Sequence, residues 1–87
     1  MSRDRSPGPV VLTLYTRPAC HLCLDMERAL GRLREEMDFE LIVEDVDQDP
    51  RSRQLYGDKV PVLMVDGVEC CHYFLDEARL RRYLQSR

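Results

Sequence analysis

Residues 10–24 read VVLTLYTRPACHLCL, and two patterns meet inside them. Val10 to Thr16 is apolar and rich in β-branched residues, which predicts a buried central strand. Pro18 ends that run. From there Cys23, Met26, Leu30, Leu33 and Met37 recur at helical spacing, while Asp25, Arg28, Arg32 and Glu35 fall on the opposite side. The CxxC pair therefore stands at the mouth of a helix, with Cys20 at its open end and Cys23 one turn on, on the buried face. Two thiols at that spacing serve a structural metal site, a structural disulfide or a reversible dithiol.

The rest of the chain narrows the choice. Eighty-seven residues make one core. No long uncharged apolar run exists to cross a membrane as a helix. The net charge of -3 and the scattered basic residues give no electrostatic case for nucleic acid or an anionic membrane. Residues 1–9, MSRDRSPGP, are charged and rich in Pro, Gly and Ser, without the apolar segment of a signal peptide. They are expected to be a disordered tail on a cytoplasmic protein, with 10–87 as a single domain. In a reducing compartment four cysteines are not a disulfide framework, and CxxC near a βαβ pattern points to redox chemistry or metal.

Phe39 to Val46 alternates at Phe39, Leu41 and Val43 and predicts a second strand, parallel to the first across a right-handed βαβ crossover. Asp49-Pro50 has the form of an N-cap followed by a first helical residue, so a short helix should run to Tyr56 and stop at Gly57. Val60 to Val65 is a third strand, Asp66-Gly67 a two-residue hairpin turn, and Val68 to Tyr73 its antiparallel return. A final helix over Asp76 to Tyr83 places Leu80 and Leu84 on one face.

The nucleophile in disulfide exchange is the thiolate, and a free thiol with a pKa near ~8.5 supplies little of it at neutral pH. A cysteine at a helix N-terminus meets unpaired backbone N–H groups and the positive end of the helix dipole, which favour the anion. Cys20 has that placement, with Arg17 and His21 as neighbouring cations, and Cys23 is positioned to resolve a mixed disulfide. Val60-Pro61 is the second clue. A proline at the start of a strand often marks a cis bond. Beside strand one it would face the CxxC loop, where Val60 offers a strand-like edge to a substrate peptide.

LYTRPACHLC followed some forty residues later by VPVLMVDG resembles the glutaredoxin branch of the thioredoxin superfamily, in particular small bacterial glutaredoxin-like proteins with a CHLC-type motif. The resemblance covers residues 10 to 84. It implies an α/β thioredoxin fold (β-α-β-α-β-β-α) with a four-stranded mixed sheet in the order 2-1-3-4 and helices on both faces. It implies Cys20 as attacking thiol, Cys23 as resolving thiol and Pro61 as the cis-proline, with Arg17, His21, Val60 and Pro61 forming the substrate site. The expected activity is thiol–disulfide exchange by a monomer acting on protein disulfides or glutathione mixed disulfides. No cofactor beyond the Cys20–Cys23 couple is expected; glutathione or an unidentified reductase would return it to the dithiol. The chain departs from the family pattern in having His21-Leu22 between the thiols and VECCHYFLDEARL where glutaredoxins carry a Gly-Gly pair and an Asp. Those glutathione-binding residues are not carried over.

The competing expectation is a metal or iron–sulfur carrier built on the CxxC. A zinc site needs four ligands, and Cys70, Cys71 and His72 are the remaining candidates. Strand alternation should send Cys70 and Cys71 to opposite faces and keep them from one ion, so no metal site is expected. The acidic run Glu44 to Asp49 lacks the glycine and spacing of a calcium loop and is expected to be a polar connection carrying a helix cap.

Overall fold

The computed structural model describes residues 10–85; the expected N-terminal tail lies outside them. The elements are β1 (Val10–Thr16), α1 (His21–Leu33), β2 (Phe39–Asp45), a 3-10 turn over Val46–Gln48, α2 (Pro50–Tyr56), β3 (Val62–Val65), β4 (Val68–His72) and α3 (Glu77–Gln85). The sheet has the order β2-β1-β3-β4. β1 runs parallel to β2 and antiparallel to β3, which is antiparallel to β4. This is the thioredoxin fold that the sequence implies.

β1 owes its central place to its alternation. Val10, Leu12, Leu14 and Thr16 are buried on the face shared with Leu63 and Val65 of β3. Met26, Leu30 and Leu33 of α1 and Leu80 of α3 join them in one cluster. The opposite face carries Val11, Thr13 and Tyr15, and the Tyr15 ring stacks on Tyr56 of α2 with centroids 4.4 Å apart. Helices thus lie on both faces, and α2, at seven residues, covers the second face only near Tyr15.

The local signals between elements behave as their chemistry dictates. Asp49 caps α2, accepting hydrogen bonds from the Arg51 N–H and the Ser52 hydroxyl, with Pro50 following and Gly57 closing the helix. Asp66 and Gly67 take φ of 50° and 83°, the two positive angles that a tight hairpin with right-twisted strands requires.

Four departures from expectation bear on the packing and the site, beside shifts of one or two residues at the ends of β2, β4 and α3. α1 ends at Leu33, and Met37 packs against the core from a turn closed by its N–H to the Leu33 carbonyl, 2.9 Å. Apolar periodicity continues there although the helix does not. Val43, in register with Leu14, is 45% exposed, because β2 is an edge strand with a neighbour on one side only. β3 begins at Val62, two residues late.

The fourth difference changes the chemistry. Leu63 pairs with Cys71 but Met64 pairs with Glu69, so Cys70 is the extra residue of a β-bulge. Alternation fails at such a point. Cys70 is buried in the main cluster and Cys71 packs against the same cluster, half-buried. The expectation that these cysteines point to opposite faces is corrected: the bulge turns both toward the core side.

Candidate functional site

The chain leaves β1 at Thr16, whose hydroxyl donates to the Glu44 carbonyl, and turns through Arg17, Pro18 and Ala19 into α1. Ala19 has φ 59°, a left-handed conformation that an L-residue with a side chain adopts at a cost of about 1–2 kcal/mol. That turn delivers Cys20 as the N-cap of α1, with extended backbone. Its Sγ accepts the Cys23 N–H at 3.1 Å, and its carbonyl accepts the Leu24 N–H at 3.1 Å. A sulfur so placed replaces the Ser or Asp of an ordinary cap, and the donor that satisfies the helix end also stabilises negative charge on sulfur.

Cys23 lies in the first turn and is 3% exposed, whereas Cys20 is partly open to solvent. The two are joined as a disulfide with Cα atoms 5.2 Å apart, inside the range that a bridge allows. One sulfur is reachable and its neighbour sits beneath it. His21 between them is exposed on the first turn.

Opposite, Val60-Pro61 is cis. Because Val62 pairs with Tyr15, Pro61 arrives beside the end of β1 from which the chain enters the CxxC turn. Pro61 is buried, and its carbonyl accepts the Tyr73 N–H at 2.9 Å. The segment ahead of it is tied down by Lys59, whose ammonium meets Glu69 at 2.9 Å; Glu69 also holds His72 at 2.8 Å. The Lys59 hydrogen bond, reinforced by the one to His72, keeps the Glu69 carboxyl below the usual carboxylate range.

Arg17 is engaged by the acidic connection and the end of α2. Its guanidinium donates twice to Asp47, at 3.2 Å each, and once to the Gly57 carbonyl at 3.1 Å. Arg53 approaches the same carboxylate at 3.8 Å. Asp45 caps the 3-10 turn by accepting the Asp47 N–H. The acidic run is thus a polar connection with caps, and it also pins the CxxC turn to α2.

Aromatic residues that the sequence reading passed over lie beside the site. Tyr73 and Phe74 follow β4, are 42% and 70% exposed, and with Leu22, Asp25 and Met26 line a cavity of about 160 Å³ against α1. The adjacent pair of rings was the available signal. The two cysteine pairs remain separate: among the described residues no group of three His, Cys, Asp or Glu side chains is gathered as a metal site.

A thioredoxin fold with CxxC at the start of its first helix and a cis-proline beside it defines the class of protein. The family follows from comparison. The model of the glutaredoxin-like domain (DUF836) matches residues 11–85, and the chain belongs to that family. It is 36% identical over 73 residues to the uncharacterised protein Rv0508 of Mycobacterium tuberculosis, an alignment covering 78% of this chain and 75% of that one. The solution structure of Ne2328 from Nitrosomonas europaea superposes with a TM-score of 0.82 at 38% identity, covering 97% of this chain and 99% of the other. A mutant thioredoxin from Halobacterium salinarum matches at a TM-score of 0.61 and 29% identity over 94% of this chain and 77% of that one. Among the described residues no helix is long and apolar enough to cross a membrane.

Proposed function

We propose that the protein is a thiol–disulfide oxidoreductase that reduces protein disulfides or glutathione mixed disulfides through Cys20 and Cys23. The observation that carries this reading is the position of Cys20, a partly exposed sulfur at a helix N-cap, accepting a backbone N–H from the residue that buries the second sulfur. The Cys20 thiolate attacks one sulfur of a substrate disulfide; the new S–S bond forms as the old one breaks, and the other half leaves as a thiolate. Cys23, losing its proton, then attacks the Cys20 sulfur. The product departs as a thiol, two electrons have passed to the substrate, and the Cys20–Cys23 disulfide remains. Glutathione or a reductase restores the dithiol by the reverse exchange.

In this account Val60 and Pro61 shape the edge on which a substrate peptide lies, His21 supplies a polar contact beside the attacking sulfur, and Arg17 acts by holding the CxxC turn in place. The protein works as a monomer in the cytoplasm, without nucleic acid or membrane partners. Reduction of a small disulfide by wild-type protein, measured against dithiothreitol at equal thiol concentration, tests the reading. Cys20→Ser should abolish turnover, and Cys23→Ser should accumulate a mixed disulfide through Cys20. Exchange no faster than dithiothreitol's would overturn the proposal. So would iron or zinc bound in stoichiometric amount by anaerobically purified protein and lost in Cys20→Ser, which is the signature of a carrier.

A further inference from the structure

We propose that Cys71 is a second reactive thiol, a modification site that takes up half of a low-molecular-weight disulfide independently of the Cys20–Cys23 couple. The β-bulge is its structural origin. By placing Cys70 and Cys71 on one side of β4 it sets the buried Cys70 thiol next to the half-buried Cys71. A backbone donor reaches the Cys71 sulfur as well: the Asp76 N–H points at Cys71 Sγ at 3.5 Å. Cys71 is half-buried, not sealed. It opens into a surface cavity of about 340 Å³ whose other walls include His72, Phe74, Asp76 and Arg79, room for a small thiol compound.

The charged groups facing the pair come from three directions. Hydrogen bonding from Cys70 brings the Cys71 thiol down to about 7, aided by the Asp76 N–H and the His72 charge and opposed by burial and the Asp76 carboxylate. The same hydrogen bond, with burial, pushes Cys70 far up despite the favourable charge of Arg79. Glu69 also borders the cavity, but its charge is taken up by Lys59 and His72. Of the pair, Cys71 is therefore the sulfur that ionises more readily and Cys70 the one that holds its proton.

The exchange balances without another reactant. The Cys71 thiolate attacks a small disulfide RSSR, forming Cys71–S–S–R as the R–S bond partner leaves as RS⁻. Cys70 does not resolve the adduct. Neighbouring residues have Cα atoms about 3.8 Å apart, shorter than the usual span of a disulfide, and the Cys70 sulfur keeps its proton. The adduct therefore persists, unlike one at Cys20, which Cys23 clears.

The test uses full-length protein with the Cys20–Cys23 bridge formed, so that Cys70 and Cys71 are the free thiols. Excess hydroxyethyl disulfide should add one hydroxyethylthio group, mapped to Cys71 by peptide mass spectrometry and absent in Cys71→Ser. The rate should follow an ionisation near 7 in the wild type. Cys70→Ala, which removes the donor, should slow the reaction at neutral pH roughly three- to tenfold; Cys70→Ser, which keeps a hydroxyl donor, should stay near wild type. An adduct on Cys70, a Cys70–Cys71 disulfide, or labelling that appears only in denaturant would overturn the assignment. An unchanged pH profile in Cys70→Ala would refute the role of its S–H. The site map rests on wild type and Cys71→Ser alone, so a core variant that fails to fold leaves the site decided.

Discussion

Arg17 is the residue whose replacement best separates a structural role from a role at the substrate. Removing its guanidinium (Arg17→Ala) deletes two hydrogen bonds to Asp47 and one to the Gly57 carbonyl. The Asp47 pair is 37% and 41% exposed, so it contributes about 0–1 kcal/mol after screening. The bond to the partly buried Gly57 carbonyl adds roughly 0.5–1.5 kcal/mol. The total is roughly 0.5–2.5 kcal/mol, and in a domain of this length each 1 kcal/mol lowers the melting temperature by about 4–8 °C. Asp47→Asn should lose no more than the first part, and the difference between Asp47→Asn and wild type should shrink in high salt. Thermal and urea melts of the oxidised protein supply the stabilities; disulfide reduction by the reduced protein supplies kcat and KM. A lower melting temperature with KM little changed is the expected result. If Arg17→Ala melts with the wild type while KM rises several-fold, the guanidinium acts on the substrate and its assignment as an anchor of the CxxC turn is wrong.

Other consequences follow from the core and the loops. Leu30→Ala empties a site with no solvent exposure between α1 and the sheet and should cost roughly 2–5 kcal/mol in denaturant unfolding. A cost below about 1 kcal/mol would mean that α1 packs less closely than described. Gly57→Ala places a Cβ 2.5 Å from the Arg53 carbonyl and 3.1 Å from the Arg17 guanidinium; the expected outcome is destabilisation that Arg17→Ala partly relieves, read from a double-mutant cycle. Glu69 has its native pKa depressed by Lys59 and His72, so its contribution is complete above the usual carboxylate range and disappears as pH falls through the lower native value. Its half-exposed ion pair sets the scale at about 0.5–1 kcal/mol. Glu69→Gln should therefore be less stable than wild type at neutral pH, with the gap closing in acid; a gap that widens on acidification would contradict the sign.

The parts of the fold that could be read from the chain are those in which local chemistry and tertiary packing agree. β1 carries alternation and β-branching together, Asp49-Pro50 and Gly57 mark both ends of α2, and Asp66-Gly67 suits a turn of two residues. The readings that failed are those where one rule spoke alone. Met37 keeps the helical period because the core needs it, but the backbone has already turned. Val43 alternates correctly on a strand whose outer edge has no neighbour. The bulge at Cys70 could not be seen, since nothing in the order VECCH distinguishes a regular strand from one with an extra residue; only pairing with Leu63 and Met64 does. The partners of Arg17 were likewise not visible in the order of residues: Asp47 and Gly57 lie 30 and 40 residues away.

The central claim is an asymmetry between two sulfurs in one helical turn, and competitive alkylation measures it directly. Fully reduced protein is treated briefly with iodoacetamide at neutral pH, quenched and mapped by peptide mass spectrometry. Cys20 should be labelled roughly tenfold or more ahead of Cys23, because the first sulfur is open at the helix cap and the second is 3% exposed beneath it. Equal labelling of the two, or Cys23 reacting first, would contradict the account.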